Sequence, residues 1–265
     1  MRPAPAPVLV SAHRNGARDD PALENTPAAL DRAVATGAEY VELDVRRCRD
    51  GTLVLSHESW VLLGGELCPV AQLSYDEFAA AAPGALRFED AVGLLAGRAG
   101  VHLDLKFRSP AEAYASPGGA LEVAAVARAV ELAGPANVVV TTGNVQAIRA
   151  VRDWSDAAGL GVRAGLSVGG SVAGRPLAEQ VRSRWSELFP APRFAESRAD
   201  AVVANHWLAL LGVARFARRA RLPLLVWTVD HPLLLRYWLR PGRAWMVTTN
   251  RPELALSIRG ARIQP

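Results

Sequence analysis

The chain predicts an α/β fold, a TIM (β/α)8 barrel with a short β-hairpin inserted after the second strand. Three observations predict it. Strand and helix patterns alternate almost throughout, and such units number eight. Apolar residues open the strands, whereas polar residues collect at their C-terminal ends, where barrels of this class carry their chemistry. No glycine fingerprint follows the first strand, as an open dinucleotide-binding sheet would require. No linker, repeat or charge block divides the sequence, so residues 1–265 are expected to form a single domain.

In order, Val8–Ala12 is a short strand ending at His13-Arg14. Thr26-Pro27 opens a helix with a capping residue and a proline in the first turn, and the helix runs to about Gly37. Tyr40–Val45 is the second strand. Arg49-Asp50-Gly51-Thr52 places an Asp-Gly pair between two runs of β character, a strong hairpin signal. With Asp50 and Gly51 as the loop, Arg49 pairs with Thr52 and Asp44 lies opposite His57. Glu42 shares a face with Asp44, and Val41, Leu43 and Val45 point the other way. A solvated sheet face is the alternative explanation of that alternation.

Residues 59–73 are less regular. Ser74 caps a helix over Tyr75–Ala82, and Phe88–Gly97 reads as another. The remaining strands are Val101–Phe107, Val138–Thr142, Arg163–Val168, Ala201–Asn205, Leu224–Val229 and Ala244–Thr248. Helical patterns lie between and after them at Leu121–Leu132, Val145–Trp154, Leu177–Leu188, Leu208–Arg219, Pro232–Leu239 and Pro252–Ile258.

Thirty basic against 26 acidic residues leave a formal charge of +4, mild and unclustered. That suits an anionic small molecule and gives no argument for nucleic acid. Lys106 is the only lysine, in a chain that otherwise uses arginine. It marks a candidate site where a compact ammonium beside a phosphate is wanted. Cys48 and Cys68 lack metal-ligand spacing and suit a reduced compartment. The opening MRPAPAPVLV does not read as a signal peptide, and no later run reaches ~18 apolar residues. A soluble, cytoplasmic protein without stable membrane insertion is expected; its oligomeric state is left open.

Glu42, Asp44 and Asp104 would converge at the barrel mouth from neighbouring strands. Buried carboxylates that close repel one another, and a hard divalent cation, Mg2+ or Ca2+, resolves the repulsion. A structural ion network with Arg14 and Lys106 is the competing account. His13 and His57 flank the same mouth, as a general acid and base would. His102, earlier on its strand, reads as a core residue; His206 stays a candidate, and His231 suits a helix start.

Taken together, these residues resemble the glycerophosphodiester phosphodiesterase family. The resemblance rests on His13-Arg14, Glu24-Asn25-Thr26, Glu42-Leu43-Asp44, Asp50-Gly51, His57, Asp104-Leu105-Lys106, Trp227-Thr228-Val229 and Thr249-Asn250-Arg251-Pro252, in the family's order. It implies a barrel hydrolase that cleaves a small-molecule glycerophosphodiester to glycerol 3-phosphate and an alcohol with the help of a divalent cation. It also implies His13 and His57 as the acid–base pair, Glu42, Asp44 and Asp104 as metal ligands, and Arg14, Lys106 and Trp227 on the substrate. Asp104 stands where the family usually has Glu, Glu58 and Asn250 where it usually has Asp, and Thr141-Thr142-Gly143 where it has Ser-Phe. The last departure predicts a reshaped substrate pocket. Two alternatives accompany this reading. One is a phospholipase-D-like action on lysophospholipids, which needs an apolar groove that Trp60, Leu62 and Leu63 could supply. The other is a barrel that binds phosphodiesters without turning them over.

Overall fold

The computed structural model describes residues 6–17, 20, 23–116, 118–170, 174 and 176–261. Eleven strands occur among them: β1 Leu9–Ala12, β2 Tyr40–Arg47, β3 Leu53–Leu55, β4 Trp60–Leu63, β5 Glu66–Pro69, β6 Gly100–Leu105, β7 Val138–Thr142, β8 Arg163–Val168, β9 Ala201–Asn205, β10 Leu224–Trp227 and β11 Met246–Thr249. The helices are α1 Pro27–Thr36, α2 Tyr75–Ala81, α3 Phe88–Leu95, α4 Leu121–Ala133, α5 Val145–Ala157, α6 Leu177–Leu188, α7 Ala191–Ser197, α8 His206–Leu208, α9 Ala214–Ala220, α10 Pro232–Trp238 and α11 Pro252–Gly260. Among the described residues, no helix is long and apolar enough to cross a membrane.

Eight parallel strands close into the predicted barrel. β1 pairs with β11 on one side and with β2 on the other, and the order between them is β11-β10-β9-β8-β7-β6-β2. Closure explains why β2 is buried along most of its length: helices cover one face and the barrel interior covers the other. Val41, Leu43 and Val45 join the core beneath the helices. Glu42 and Asp44, out of phase with them, point into the barrel. The lower interior is filled by Val139, Val203, Leu225 and Met246, with Leu9 and Tyr40 packed against them. Gly100 makes room for this plug, since a Cβ there would lie 2.5 Å from the Tyr40 ring. The apolar floor leaves the polar residues stacked at the upper end.

Local signals account for the helix starts. Thr26 Oγ accepts from the Ala29 amide with Pro27 in the first turn of α1. Ser74 and Glu77 form a capping box on α2, and Asn144 caps α5.

The predicted hairpin forms in a different register. Val45 pairs with Leu55, Arg46 with Val54 and Arg47 with Leu53, so β3 is shifted by one residue from the expected alignment. The Cys48 amide donates to Thr52 O at 2.8 Å, and the loop is Arg49-Asp50-Gly51, closed by Gly51 at φ 92°. Arg49 leaves the ladder because its amide donates to Leu73 O at 2.7 Å. Asp50 accepts from the Thr52 and Tyr75 amides and so ties the loop to the start of α2. Asp44 therefore faces Ser56, whose amide donates to Asp44 O at 3.0 Å, and His57 lies one residue beyond the expected opposition.

Residues 59–73 hold a second hairpin, β4 with β5, closed by Gly64-Gly65 at positive φ. A Gly-Gly pair between apolar runs carries that turn signal, so it was legible in the sequence. Val61, Leu63 and Cys68 pack inward, whereas Trp60, Leu62 and Leu67 are exposed. Both cysteines are free, and burial pushes the Cys48 thiol up to about 11. The segment expected as one helix over Leu208–Arg219 is α8, a wider π-type stretch at Ala209–Val213, and α9. α7 was not anticipated.

Candidate active site

At the C-terminal end of the barrel the strands open onto a cavity of about 500 Å³. Its lining includes His13, Arg14, Glu42, His57, Asp104, Lys106 and Trp227. Asp44 lies just beneath, with its side chain 2% exposed. All eight residues singled out from the sequence thus come to one place. His206 and His231 do not line the cavity; the His231 ring caps α10 by accepting from the Leu233 amide.

Period two along β2 and β6 sets the carboxylates. Asp44 pairs with Asp104 across the parallel ladder, and Glu42 pairs with His102 one layer lower. Glu42, Asp44 and Asp104 each offer an oxygen within 4.8 Å of the others. Burial, followed by the charges of Asp44 and Asp104, pushes Glu42 well above the usual carboxylate range. At Asp44 burial acts the same way, but the Lys106 ammonium and the two histidines outweigh it and hold the carboxyl low. Lys106 Nζ sits 3.1 Å from Asp44 Oδ1 and 2.5 Å from Asp104 Oδ2. Burial would lower the ammonium's pKa, yet the three carboxylates raise it.

Asp44 Oδ2 is buried and has no hydrogen-bond partner. An orphaned carboxylate oxygen on a residue clustered with two other acids, all oxygen donors, fits a hard divalent cation. Asp104, shorter than the expected Glu, still reaches the cluster, and Thr141 Oγ donates to its Oδ1 at 3.3 Å.

His13 has one ring nitrogen committed and His57 both. Asn250 Nδ2 donates to Asp230 Oδ2 at 2.8 Å, which fixes the amide orientation. Asn250 Oδ1 therefore faces His13 Nδ1 at 2.7 Å and accepts its proton, leaving Nε2 without a hydrogen. Desolvation draws His13 below its ordinary pKa, against the pull of Asp44. On His57, Nδ1 lies 2.9 Å from Glu58 Oε1 and Nε2 accepts from Arg14 Nη2 at 2.8 Å. Glu58 thus reaches the ring despite its extra methylene.

Arg14 connects several parts of the expected motif. Its amide donates to Glu42 Oε2 at 2.7 Å, and Nη1 pairs with Glu24 at 3.0 Å. Both Arg14 and Asn15 hold positive φ, which turns the chain back over the barrel.

Sequence reasoning missed two contributors, Arg46 and Asp230. Arg46 donates to His57 O at 2.7 Å and also reaches Lys106 O at 3.4 Å, which carries His57 to the mouth despite the shifted register. Asp230 orients Asn250, and only its place after the Trp227–Val229 strand could have flagged it. His102 belongs to the cavity floor, with Nδ1 3.1 Å from Ser11 Oγ and Nε2 3.2 Å from Thr141 Oγ, and burial pushes it down to about 3. It is a satisfied core histidine, as expected.

Comparison with known proteins adds an independent line. A glycerophosphodiester phosphodiesterase of Caldanaerobacter subterraneus subsp. tengcongensis is 47% identical over 53 residues, which is 20% of this chain and about a fifth (21%) of that protein's length. Among solved structures, a glycerophosphodiester phosphodiesterase of Agrobacterium tumefaciens superposes with a TM-score of 0.67 at 19% identity, over 94% of this chain and 99% of that one. An Oleispira antarctica phosphodiesterase, in complex with the product sn-glycerol-3-phosphate, gives 0.66 at 18% identity, over 95% and 96%. At such identities these structures support the fold. The family profile reaches further, matching residues 13–254, and by that match the chain belongs to the Glycerophosphoryl diester phosphodiesterase family.

Proposed function

We propose that the whole chain works as one domain, a phosphodiesterase that hydrolyses glycerophosphodiesters to glycerol 3-phosphate and an alcohol. The observation that carries this reading is the pair of histidines flanking three converging carboxylates and one lysine inside a single cavity. Glu42, Asp44 and Asp104 are the residues that would hold a divalent cation, Mg2+ or Ca2+. When bound, that ion supplies Lewis-acid charge next to the phosphoryl oxygens.

The chain's own residues do the rest. Lys106 and Arg14 bring positive charge to the phosphate, where negative charge grows as the phosphorus is attacked. Arg14 exchanges its bond to His57 Nε2 for a phosphate oxygen, which frees that nitrogen. His13, kept neutral by burial and with Nδ1 committed to Asn250, accepts the proton of the entering oxygen at Nε2. His57, braced by Glu58 and by the Arg46 clamp on its carbonyl, takes up a proton from water at the freed Nε2 and delivers it to the leaving alkoxide. Trp227 forms part of the wall against which the substrate packs.

The test is release of glycerol 3-phosphate from a panel of glycerophosphodiesters, with EDTA, Mg2+ or Ca2+, beside His13→Ala. Cation-dependent turnover that drops at least about 1,000-fold in the variant is expected, in line with the loss of an acid–base group. Folded protein that releases nothing with any cation would sink the proposal.

A specific observation favours a second reading, phospholipase-D-like action on lysophospholipids. Trp60, Leu62 and Leu67 on the β4–β5 hairpin are 45%, 60% and 62% exposed, and Trp185 and Phe189 on the α6 side are 65% and 58% exposed. An acyl chain would find apolar surface there. Release of the alcohol from lysophospholipid micelles, faster than from the deacylated diester, would favour this second substrate class.

A further inference from the structure

The carboxylates and histidines occupy the rim over β1, β2 and β6. The adjoining arc over β7 and β8 is built from different material. Arg108, Gly143, Ser167, Ser183, Ser186 and Arg193 line it. Ser167 is the penultimate residue of β8, Ser183 and Ser186 lie on α6, and Arg193 lies on α7.

The two arginines are held in no ion pair among the described residues. Other arginines of this chain sit in ion pairs, such as Arg152 with Asp200 and Arg259 with Glu39. Among the described residues, neither Arg108 nor Arg193 makes an ion pair; Arg193 Nη2 donates to Gly143 O at 3.1 Å. Two acids act on Arg193 through space without pairing with it: Glu187, already satisfied by Arg184 at 2.7 Å and by the Gly169 amide at 3.0 Å, and Glu196 on α7. Two guanidiniums without a paired carboxylate in a concave site are suited to phosphate or carboxylate oxygens.

The arc is also braced from beneath. Glu122, fully buried, accepts from Ser109 N and Oγ at 3.1 and 2.5 Å and from the Tyr114 hydroxyl at 2.5 Å. Asn144 Nδ2 donates to the Tyr114 oxygen at 2.8 Å. One network thus fixes the backbone next to Arg108 and the Gly143-Asn144 turn on which Arg193 rests. A surface loop with incidental arginines has no need of a buried carboxylate under it.

What the arc lacks is as informative. Among the described lining residues the one Trp, Tyr or Phe is Trp227, which lies on β10. A quaternary ammonium is recognised by an aromatic cage or a free acid, and neither is among the described residues lining the cavity over β7 and β8.

We infer that this arc is a subsite for an alcohol head group that carries its own negative charge, a phosphate or a carboxylate, on the ester oxygen away from the glycerol. The inference rests on the proposed phosphodiesterase reading and names its substrate class. Arg108 and Arg193 grip the second anion, the serines and backbone around it bind hydroxyls, and choline is disfavoured.

The experiment compares three diesters: glycerophosphoglycerol, the same compound with a terminal phosphate monoester, and glycerophosphocholine. A preference of about 10- to 100-fold in kcat/KM for the terminally phosphorylated diester over the other two is expected, the value of one or two charge-assisted contacts. In Arg108→Gln/Arg193→Gln the ratio between charged and uncharged head groups falls to near one. That ratio is the readout, because a general loss of structure lowers both rates alike. Equal kcat/KM for the three diesters, or a preference that survives the double substitution, overturns the subsite. If none of the three is turned over, the phosphodiesterase reading fails separately. Calorimetric binding of the same diesters then decides the subsite, and affinity unchanged by the double substitution overturns it.

Discussion

At the scale of single residues, the working state of His13 is set by a residue it does not touch. Asp230 accepts from the Asn250 amide, which turns Asn250 Oδ1 toward the imidazole and keeps the proton on Nδ1. Asp230→Asn removes that constraint and lets the Asn250 amide rotate, so the Nε2–H tautomer, useless as a base, becomes accessible. A fall in kcat of about 100-fold with KM little changed is expected, by the logic that a wrong tautomer disables an intact geometry. The swapped pair Asp230→Asn/Asn250→Asp restores an acceptor at His13 Nδ1 and recovers most of the rate. Unchanged kcat in the single variant, or no recovery in the swap, removes Asp230 from this positioning role. The same residues show what sequence can reveal. His13, Arg14, Glu42, Asp44 and Lys106 sit in short motifs whose spacing states their alignment. Asp230 and Arg46 work through partners that are 20 and 11 residues away, and their types alone point to no role.

At the scale of elements, alternation of strand and helix was readable throughout, because barrel strands are short apolar runs and several helices, α1, α2, α5 and α10, carry side-chain caps. Register was not. A two-residue Asp-Gly loop was the sound local expectation, but Leu73 O captures the Arg49 amide and Asp50 captures the start of α2, so tertiary bonds choose the three-residue loop. A one-residue slip of a strand exchanges its faces, and His57 still reaches the cavity only because it lies past the ladder and is held by Arg46. The Glu122 network is another such cross-element device, joining the segment after β6, α4 and the start of α5. Glu122→Leu leaves the Ser109 amide and hydroxyl and the Tyr114 hydroxyl buried without their acceptor, at about 1–3 kcal/mol each when water cannot reach them. A loss of about 3 kcal/mol in denaturant unfolding is expected. A second signature reads the network: the Tyr114 phenol, now pushed up to about 12 by burial and then by Glu122, loses the Glu122 share and titrates nearer its ordinary value of 10.0. An unchanged unfolding midpoint and phenol titration would count against the brace.

At the scale of the whole molecule, closure of the sheet concentrates like charge. β1, β2 and β6 are neighbours, so their C-terminal ends bring Glu42, Asp44 and Asp104 within 4.8 Å, with Lys106 as the cation between two of them. Composition could not announce this, since a net charge of +4 hides a local excess of acid. The fold thus carries a strained end that a divalent ion would relieve, and binding to the folded chain alone stabilises it. At 100 times the dissociation constant the gain is about 2.7 kcal/mol. For a chain of this length each kcal/mol is worth about 2–4 °C. Melting in millimolar Mg2+ or Ca2+ is therefore expected about 5–10 °C above melting in EDTA. Asp44→Asn, which exchanges the orphaned oxygen for an amide, removes the difference. This readout needs no substrate, so it separates the cation site from the chemistry: identical melting with and without either ion would leave the carboxylates to Lys106 and Arg14 as a purely structural network.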